Sequence, residues 1–204
     1  MKKIKIAGLL LMCFVFSKPV FSQAFDDGTN LINIGFGLPA GTRITRDFEP
    51  YKKYTDYKFK NYGTVILKYE HGLHKYFGIG LNLEYSGSSA NYKYDDNANI
   101  AAPRYLVTIK GNAYGFYARF NAHLPIGDKL DFYGGAGLGY FYTVNTKTDT
   151  NPNANTNIQQ KSTVLDFDYQ LTLGARFMVK DNVGVFVETG RATTAFQLGL
   201  VLKF

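Results

Sequence analysis

"FGIGLNLEY", Phe77 to Tyr85, sets Phe77, Ile79, Leu81, Leu83 and Tyr85 against Gly78, Gly80, Asn82 and Glu84. Side chains of a strand alternate between two faces, so this stretch has one apolar face and one face of glycine and polar groups. A helix would scatter the same residues around its axis. The period therefore reads as a strand, and the question is what covers its apolar face.

The same period returns along the chain. "LINIGFGL" (31–38) sets Ile32, Ile34, Phe36 and Leu38 on one face, and "TVILKYE" (64–70) sets Val65, Leu67 and Tyr69 against Ile66, Lys68 and Glu70. "YGFYARFNA" (114–122) puts Phe116 and Phe120 opposite Gly115, Tyr117, Arg119 and Asn121. "LDFYGGAGLGYFY" (130–142), "LDFDYQLTLGARF" (165–177), "GVFVETG" (184–190) and "AFQLGLVLKF" (195–204) complete a set of eight. One segment resists: in "YLVTIKGNA" (105–113), Val107 and Ile109 fall on the polar parity. A bulge near Gly111-Asn112 would repair this. Otherwise the segment stands above the membrane.

Short turns are expected after the second, fourth and sixth strands, at residues 71–76, 124–129 and 180–183. Long polar stretches follow the first, third and fifth, at 39–61, 86–103 and 143–163. The seventh connection, near 191–194, is short. Short turns on one rim and long connections on the other suit a transmembrane barrel. A soluble barrel would turn its apolar face inward, but eight strands leave an interior that side chains only just fill. The many Phe, Tyr and Leu of these faces would overfill it. The expected fold is thus all-β, an antiparallel up-and-down eight-stranded transmembrane β-barrel.

The N-terminal stretch has Lys2, Lys3 and Lys5, an apolar run from Ile6 to Phe16, and small residues at Ser22 and Ala24. Such a run is too short to span a bilayer of roughly 30 Å and reads as a secretory signal peptide. A membrane anchor or buried helix is the competing reading, and the break at Lys18-Pro19 counts against it. Residues 1–24 are expected to be removed by a cut before Phe25, with a cut before Gln23 nearly as good. Residues 25–204 are then one barrel domain. Met12 before Cys13 argues against lipid attachment there, so the single Cys leaves with the leader. Removing the four leader lysines takes the 23 basic residues to 19 against 16 acidic ones, a net charge of +3. That balance gives nucleic-acid binding little support.

Leader, eight alternating strands, unequal rims and a terminal Phe resemble the small outer-membrane barrels of Gram-negative bacteria, the OmpA and OmpX type. The resemblance covers residues 25–204 and implies the bacterial outer membrane as location. The last strand also resembles the signal read by the outer-membrane assembly machinery, with Gln197, Gly199, Leu202 and Phe204 in the motif positions. Expected partners are outer-membrane lipid, lipopolysaccharide and that machinery, for a monomer. Enzymes occur on this scaffold, but a nucleophile and base must lie within hydrogen-bond reach. His71, His74 and His123 map to the short-turn rim, and Ser86, Ser88 and Ser89 to the other end. No enzymatic activity, metal or cofactor is therefore expected.

The candidate functional residues are the charges on the inward parity: Lys68, Glu70, Glu84, Arg119, Asp131, Arg176, Glu188 and Lys203. An unpaired charge in a narrow lumen is costly, so opposite signs should meet. With a turn at Asp181-Asn182-Val183, Arg176 would face Glu188, and Arg119 would lie diagonal to Asp131. The set reads as a salt-bridged plug or as an ion path. The first long connection mixes Arg43, Arg46, Lys52, Lys53, Lys58 and Lys60 with Asp47, Glu49, Asp56 and several Tyr. It is expected to place Tyr in the interfacial girdle and Lys among headgroup phosphates, or to grip an anionic partner. The 143–163 stretch reads as a solvated, mobile loop.

Two function classes follow. One is a structural or surface-interaction barrel, serving envelope integrity, adhesion or recognition through its outer connections. The other is a narrow channel for ions or small hydrophobic solutes.

Overall fold

A computed structural model describes residues 24–39, 45, 47–94, 105–151 and 160–204. The leader up to residue 23, with Arg43 and Arg46, lies outside the described residues. Eight strands follow one another: β1 (Asn30–Gly37), β2 (Thr55–His74), β3 (Phe77–Tyr94), β4 (Tyr105–Ile126), β5 (Leu130–Asp149), β6 (Gln160–Lys180), β7 (Val183–Arg191) and β8 (Phe196–Lys203). Each pairs antiparallel with its neighbour, and β8 returns to β1, closing the barrel. Closure satisfies the backbone groups of every strand at membrane depth without leaving an edge.

The register fixes the stagger. From Ile34 the paired row runs through Leu67, Leu83, Phe116 and Tyr140 to Phe167 on β6. In the other direction it runs through Leu200 and Val185 to Phe177 on the same strand. The circuit thus slips by ten residues, 167 to 177, which for eight strands implies a tilt of about 40°.

Alternation decides the faces as expected. Phe77, Ile79, Leu81, Leu83 and Tyr85 are each between 44 and 45% exposed, whereas Asn82 and Glu84 are buried. The exposed apolar face runs round all eight strands, and none of the described residues of this chain covers it. A band that faces lipid has to be apolar, since Lys or Arg there would cost about 2–4 kcal/mol at midplane.

The barrel is lopsided. Strands β2 to β6 have 18 to 22 residues, whereas β1, β7 and β8 have eight or nine. Much of the described part of the polar stretches expected as long connections is strand: 55–61, 86–94, 143–149 and 160–163 all belong to a tall five-stranded wall. The 143–163 stretch is therefore two paired strand ends, with only 152–159 outside the described residues. Beyond the bilayer both faces of a strand can be polar, so the ladder continues after the period has faded.

β4 contains no bulge at Gly111-Asn112; its pairing with β3 and β5 is unbroken. Val107 and Ile109 point to the inside of the wall above the barrel. There they are buried with Phe48, Ala90, Tyr92, Ala113 and Phe141.

Candidate functional site

Seven of the eight expected charges lie in the lumen and are at most 5% exposed; Lys203 is half-buried near the short-turn mouth. They form two ionic clusters and one neutral-donor site along the axis.

Nearest the short turns, Arg176 of β6 donates to Glu70 of β2 and, at 3.2 Å, to Asp131 of β5. His123 of β4 is wedged between the same carboxylates, Nδ1 2.9 Å from Asp131 and Nε2 2.7 Å from Glu70. Both ring nitrogens of His123 thus have a carboxylate partner. Asn121 adds a 2.6 Å bond to Glu70. Four strands are thereby tied across the bore.

One layer further in, Glu188 of β7 receives Lys68 at 2.7 Å, Arg119 at 3.1 Å and the Tyr133 hydroxyl at 3.0 Å. Lys68 also donates to Gln197 at 2.7 Å, and Arg119 to Thr172 at 2.8 Å. Tyr133 joins the layers, because the Arg176 guanidinium lies 4.1 Å from its ring centroid. The void among Asn33, Lys68, Glu70, Arg119, Asn121, Arg176 and Glu188 is about 10 Å³. That is room for about one water molecule.

Third, Glu84 accepts from Asn82 at 2.7 Å and Gln170 at 2.9 Å. Beside it Tyr117 donates to Asp168 at 3.0 Å, and Arg191 approaches Asp168 to 3.8 Å.

The expected partners are exchanged. Arg176 meets Glu70 and Asp131 rather than Glu188, and Arg119 meets Glu188 rather than Asp131. For Arg119 the reason is the β4–β5 register, which sets Asp131 opposite Pro125, six residues from Arg119; for Arg176 it is the sixth turn. It has two residues, with Lys180 opposite Val183, and a one-residue irregularity between Met178 and Lys180 then sets Arg176 opposite Phe186. Parity survives this slip of two, but the identity of the facing residue does not. His123, expected on the rim, is a lumen residue. It shares the parity of Arg119 and Asn121, and that was the available clue. Tyr117, Tyr133, Asn82 and Gln170 carried the same clue.

Among the described residues, apolar groups pack into both ends of the barrel. At the short-turn end Phe25 is fully buried and stacks on His123, with ring centroids 3.6 Å apart and planes 10° from parallel. Ala24, Leu31, Met178, Phe186 and Val201 pack with it, so this side of the lower lumen is apolar. Gly78 leaves the necessary space; a Cβ there would lie 2.6 Å from Glu70 Oε1 and 3.0 Å from the Phe25 ring.

At the other end a 3-10 helix, Glu49–Lys53, folds onto the inner side of the wall. Phe48 lies 5.0 Å from Phe59, and Tyr51 and Tyr54 stack on Tyr92 at 5.4 and 4.5 Å. These tyrosines are lid residues, not members of the interfacial girdle. Burial, followed by the neighbouring Tyr51 and Tyr54, pushes the Tyr92 phenol up to about 12.

The expected assembly residues occupy the β8 seam. Gln197 faces the lumen and Gly199 lies opposite Gly35, both glycines beneath the Phe186 ring. Leu202 is half-buried, and Phe204 is 52% exposed with its backbone bonded to Asn30 at 3.0 and 3.2 Å. Ser86 and Ser88 bond to backbone carbonyls of Gly63 and Gly111, far along the axis from His123.

With the closed ring, the outward apolar band and the packed lumen in place, the architecture is settled. It is an eight-stranded membrane barrel. No family model and no curated protein matches the chain. Among solved structures it is similar to Ail, the attachment invasion locus protein of Yersinia pestis, crystallised with the heparin analogue sucrose octasulfate. Identity is 12%, the match covers 87% of this chain and 99% of Ail, and the TM-score is 0.49. The N-terminal β-barrel domain of Pseudomonas aeruginosa OprF is 14% identical over 88% of this chain and 99% of that one, with a TM-score of 0.42. OprG from Pseudomonas aeruginosa is 13% identical over 90% and 99%, with a TM-score of 0.44. The assignment of the barrel rests on the chain's own pairing and faces.

Proposed function

We propose that the protein is an outer-membrane barrel that acts through its outside, as a structural or surface-interaction element, and that its lumen is a plug. The observation that carries this reading is the pair of ionic layers at Glu70 and Glu188, separated by space for about one water. The leader expected at residues 1–24 and the resemblance to small outer-membrane barrels support the location. Binding of outer-membrane lipid and recognition of β8 by the assembly machinery belong to the same proposal.

Planar bilayers test it. The wild-type protein is expected to give no stable unitary conductance. A steady conductance that disappears on Arg176→Met or Glu188→Gln would replace the plug by a narrow channel. Envelope fractionation with heat-modifiable gel migration tests the location; recovery in the aqueous phase without detergent would overturn it.

A further inference from the structure

The far end of the tall wall holds a carboxylate that neither the plug nor the lid uses. Strand pairing sets Tyr92 of β3, Val107 of β4 and Asp149 of β5 in one row on the inner face. Tyr94 and Tyr105 form the next row on that face. The outward apolar face of β3 ends at Tyr85. On tilted strands Tyr94 stands about 20 Å beyond it, well clear of the bilayer. Asp149 is only 7% exposed. It accepts from the Tyr94 hydroxyl at 3.0 Å and from the Asn151 backbone N–H at 3.0 Å. Asn151 also donates to the Tyr94 hydroxyl at 3.3 Å.

No described Lys or Arg is in an ion pair with Asp149. Lys93, beside Tyr94 on β3, is held by Asp56 at 2.9 Å, and Lys147, on the same face of β5, makes no such pair. A carboxylate so far out of water without a cation is costly. The groups around it are aromatic. Tyr94 and Tyr105 are half-buried, with centroids 6.0 Å apart and planes 45° from parallel, so they do not close on each other as a stack would. Tyr54 stacks on Tyr92, and Lys53 Nζ lies 5.4 Å from the Tyr54 centroid. One ring of the cluster thus already carries a cation on its face. The Tyr92 phenol registers the same surroundings: after burial, it is raised by Tyr51, Tyr54, Asp149 and Tyr94.

We infer that Asp149 with Tyr94 and Tyr105 is a binding site for a trimethylammonium group, as carried by choline and its esters. The lone carboxylate calls for a cation, and the π faces attract one electrostatically. Both carboxylate oxygens already accept a hydrogen bond, which leaves few acceptors for the three N–H donors of a primary ammonium. A quaternary ammonium asks for none. Free choline and the choline headgroup of a lipid in an apposed membrane share this chemistry. The inference rests on the reading that the protein acts through its outer end.

The test uses the full mature protein in a maltoside detergent, which carries no ammonium, titrated with choline chloride in a calorimeter. Saturable one-to-one binding is expected. Neohexanol, the uncharged carbon isostere, and ethanolamine, which keeps the charge without the methyl groups, should each bind about tenfold more weakly. Asp149→Asn should weaken choline binding about tenfold and Tyr105→Leu about fivefold. Asp128→Asn on the short-turn rim should leave the affinity unchanged, and heat-modifiable migration checks the barrel of every variant. Tighter binding of glycerophosphocholine than of choline assigns the site to a lipid headgroup; the reverse order assigns it to the free cation. Equal binding of neohexanol or ethanolamine, full affinity in both site variants, or no saturable choline binding overturns the inference. Choline binding by a protein that fractionates outside the outer membrane would sink the earlier reading instead. Normal fractionation without choline binding sinks only this one.

Discussion

Arg176 shows what one side chain does here. It is surrounded by Glu70, Asp131 and Tyr133, beside a void with room for about one water molecule. Replacing it by Met strands two carboxylates, and breaking one side of a buried pair costs about 3–5 kcal/mol. Urea unfolding in lipid vesicles should show that loss for Arg176→Met, and adding Glu70→Gln should recover part of it. An additive pair of changes would mean that the two groups do not interact. Gly199 sets the opposite constraint. A Cβ there would meet the β1 backbone first, at 2.2 Å from the Ile34 carbonyl oxygen and 2.5 Å from Gly35 Cα, and then the Phe186 ring at 2.7 Å. Gly199→Val should therefore destabilise by about 1–3 kcal/mol or more through overpacking in the same assay, and Phe186→Leu in that background should not restore stability, because the closest clashes are with the β1 backbone. At this scale the sequence showed which residues face inward, since parity is local. It did not show that Glu188 belongs to Lys68 and Arg119, because that choice depends on how many residues a turn spends.

At the scale of elements, the wall and its lid were the least legible part. Alternation reports an apolar medium on one side, and above the bilayer there is water on both. The one surviving clue was the parity of Val107 and Ile109, which pointed to an apolar cover on the inner side. That cover is Phe48 with the 3-10 helix Glu49–Lys53. Phe48→Ala should cost about 3–5 kcal/mol locally. Limited proteolysis should then cut within 45–54 while heat-modifiable migration of the barrel is retained; loss of both together would show the lid and barrel to be one cooperative unit. The lid should also respond to alkali. The raised Tyr92 phenol makes the folded form hold its proton longer than the unfolded one. Its contribution is complete below about pH 10 and is lost as pH rises towards about 12. Tyrosine absorbance should report ionisation over that window together with new cleavage in the lid.

For the whole molecule, closure is the governing event. The β1–β8 seam joins strands nearly the full chain apart, and Phe204 ends it with backbone bonds to Asn30. Contacts so distant in sequence form late, since the intervening chain must first be ordered. Phe204→Asn, or a tail added after it, is expected to lower the yield of inserted protein several-fold while leaving the stability of what does insert almost unchanged. Normal yield of the heat-modifiable form in envelope fractions would remove Phe204 from the assembly role. Fold class and strand number were readable from the sequence because eight local periods each carried them.

The burial of Ala24 and Phe25 has a bearing on order in time. The bond at which a cut is expected joins residues only 1% and 0% exposed in the closed barrel of the uncut chain. A peptidase working on an extended substrate has no access to it there. If residues 1–24 are a leader cut at this bond, processing is expected before closure, since Phe25 already rests on His123 with Ala24 attached and buried beside it. Maturation in this chain would run in one direction, with a proteolytic step acting as the licence for the last act of folding.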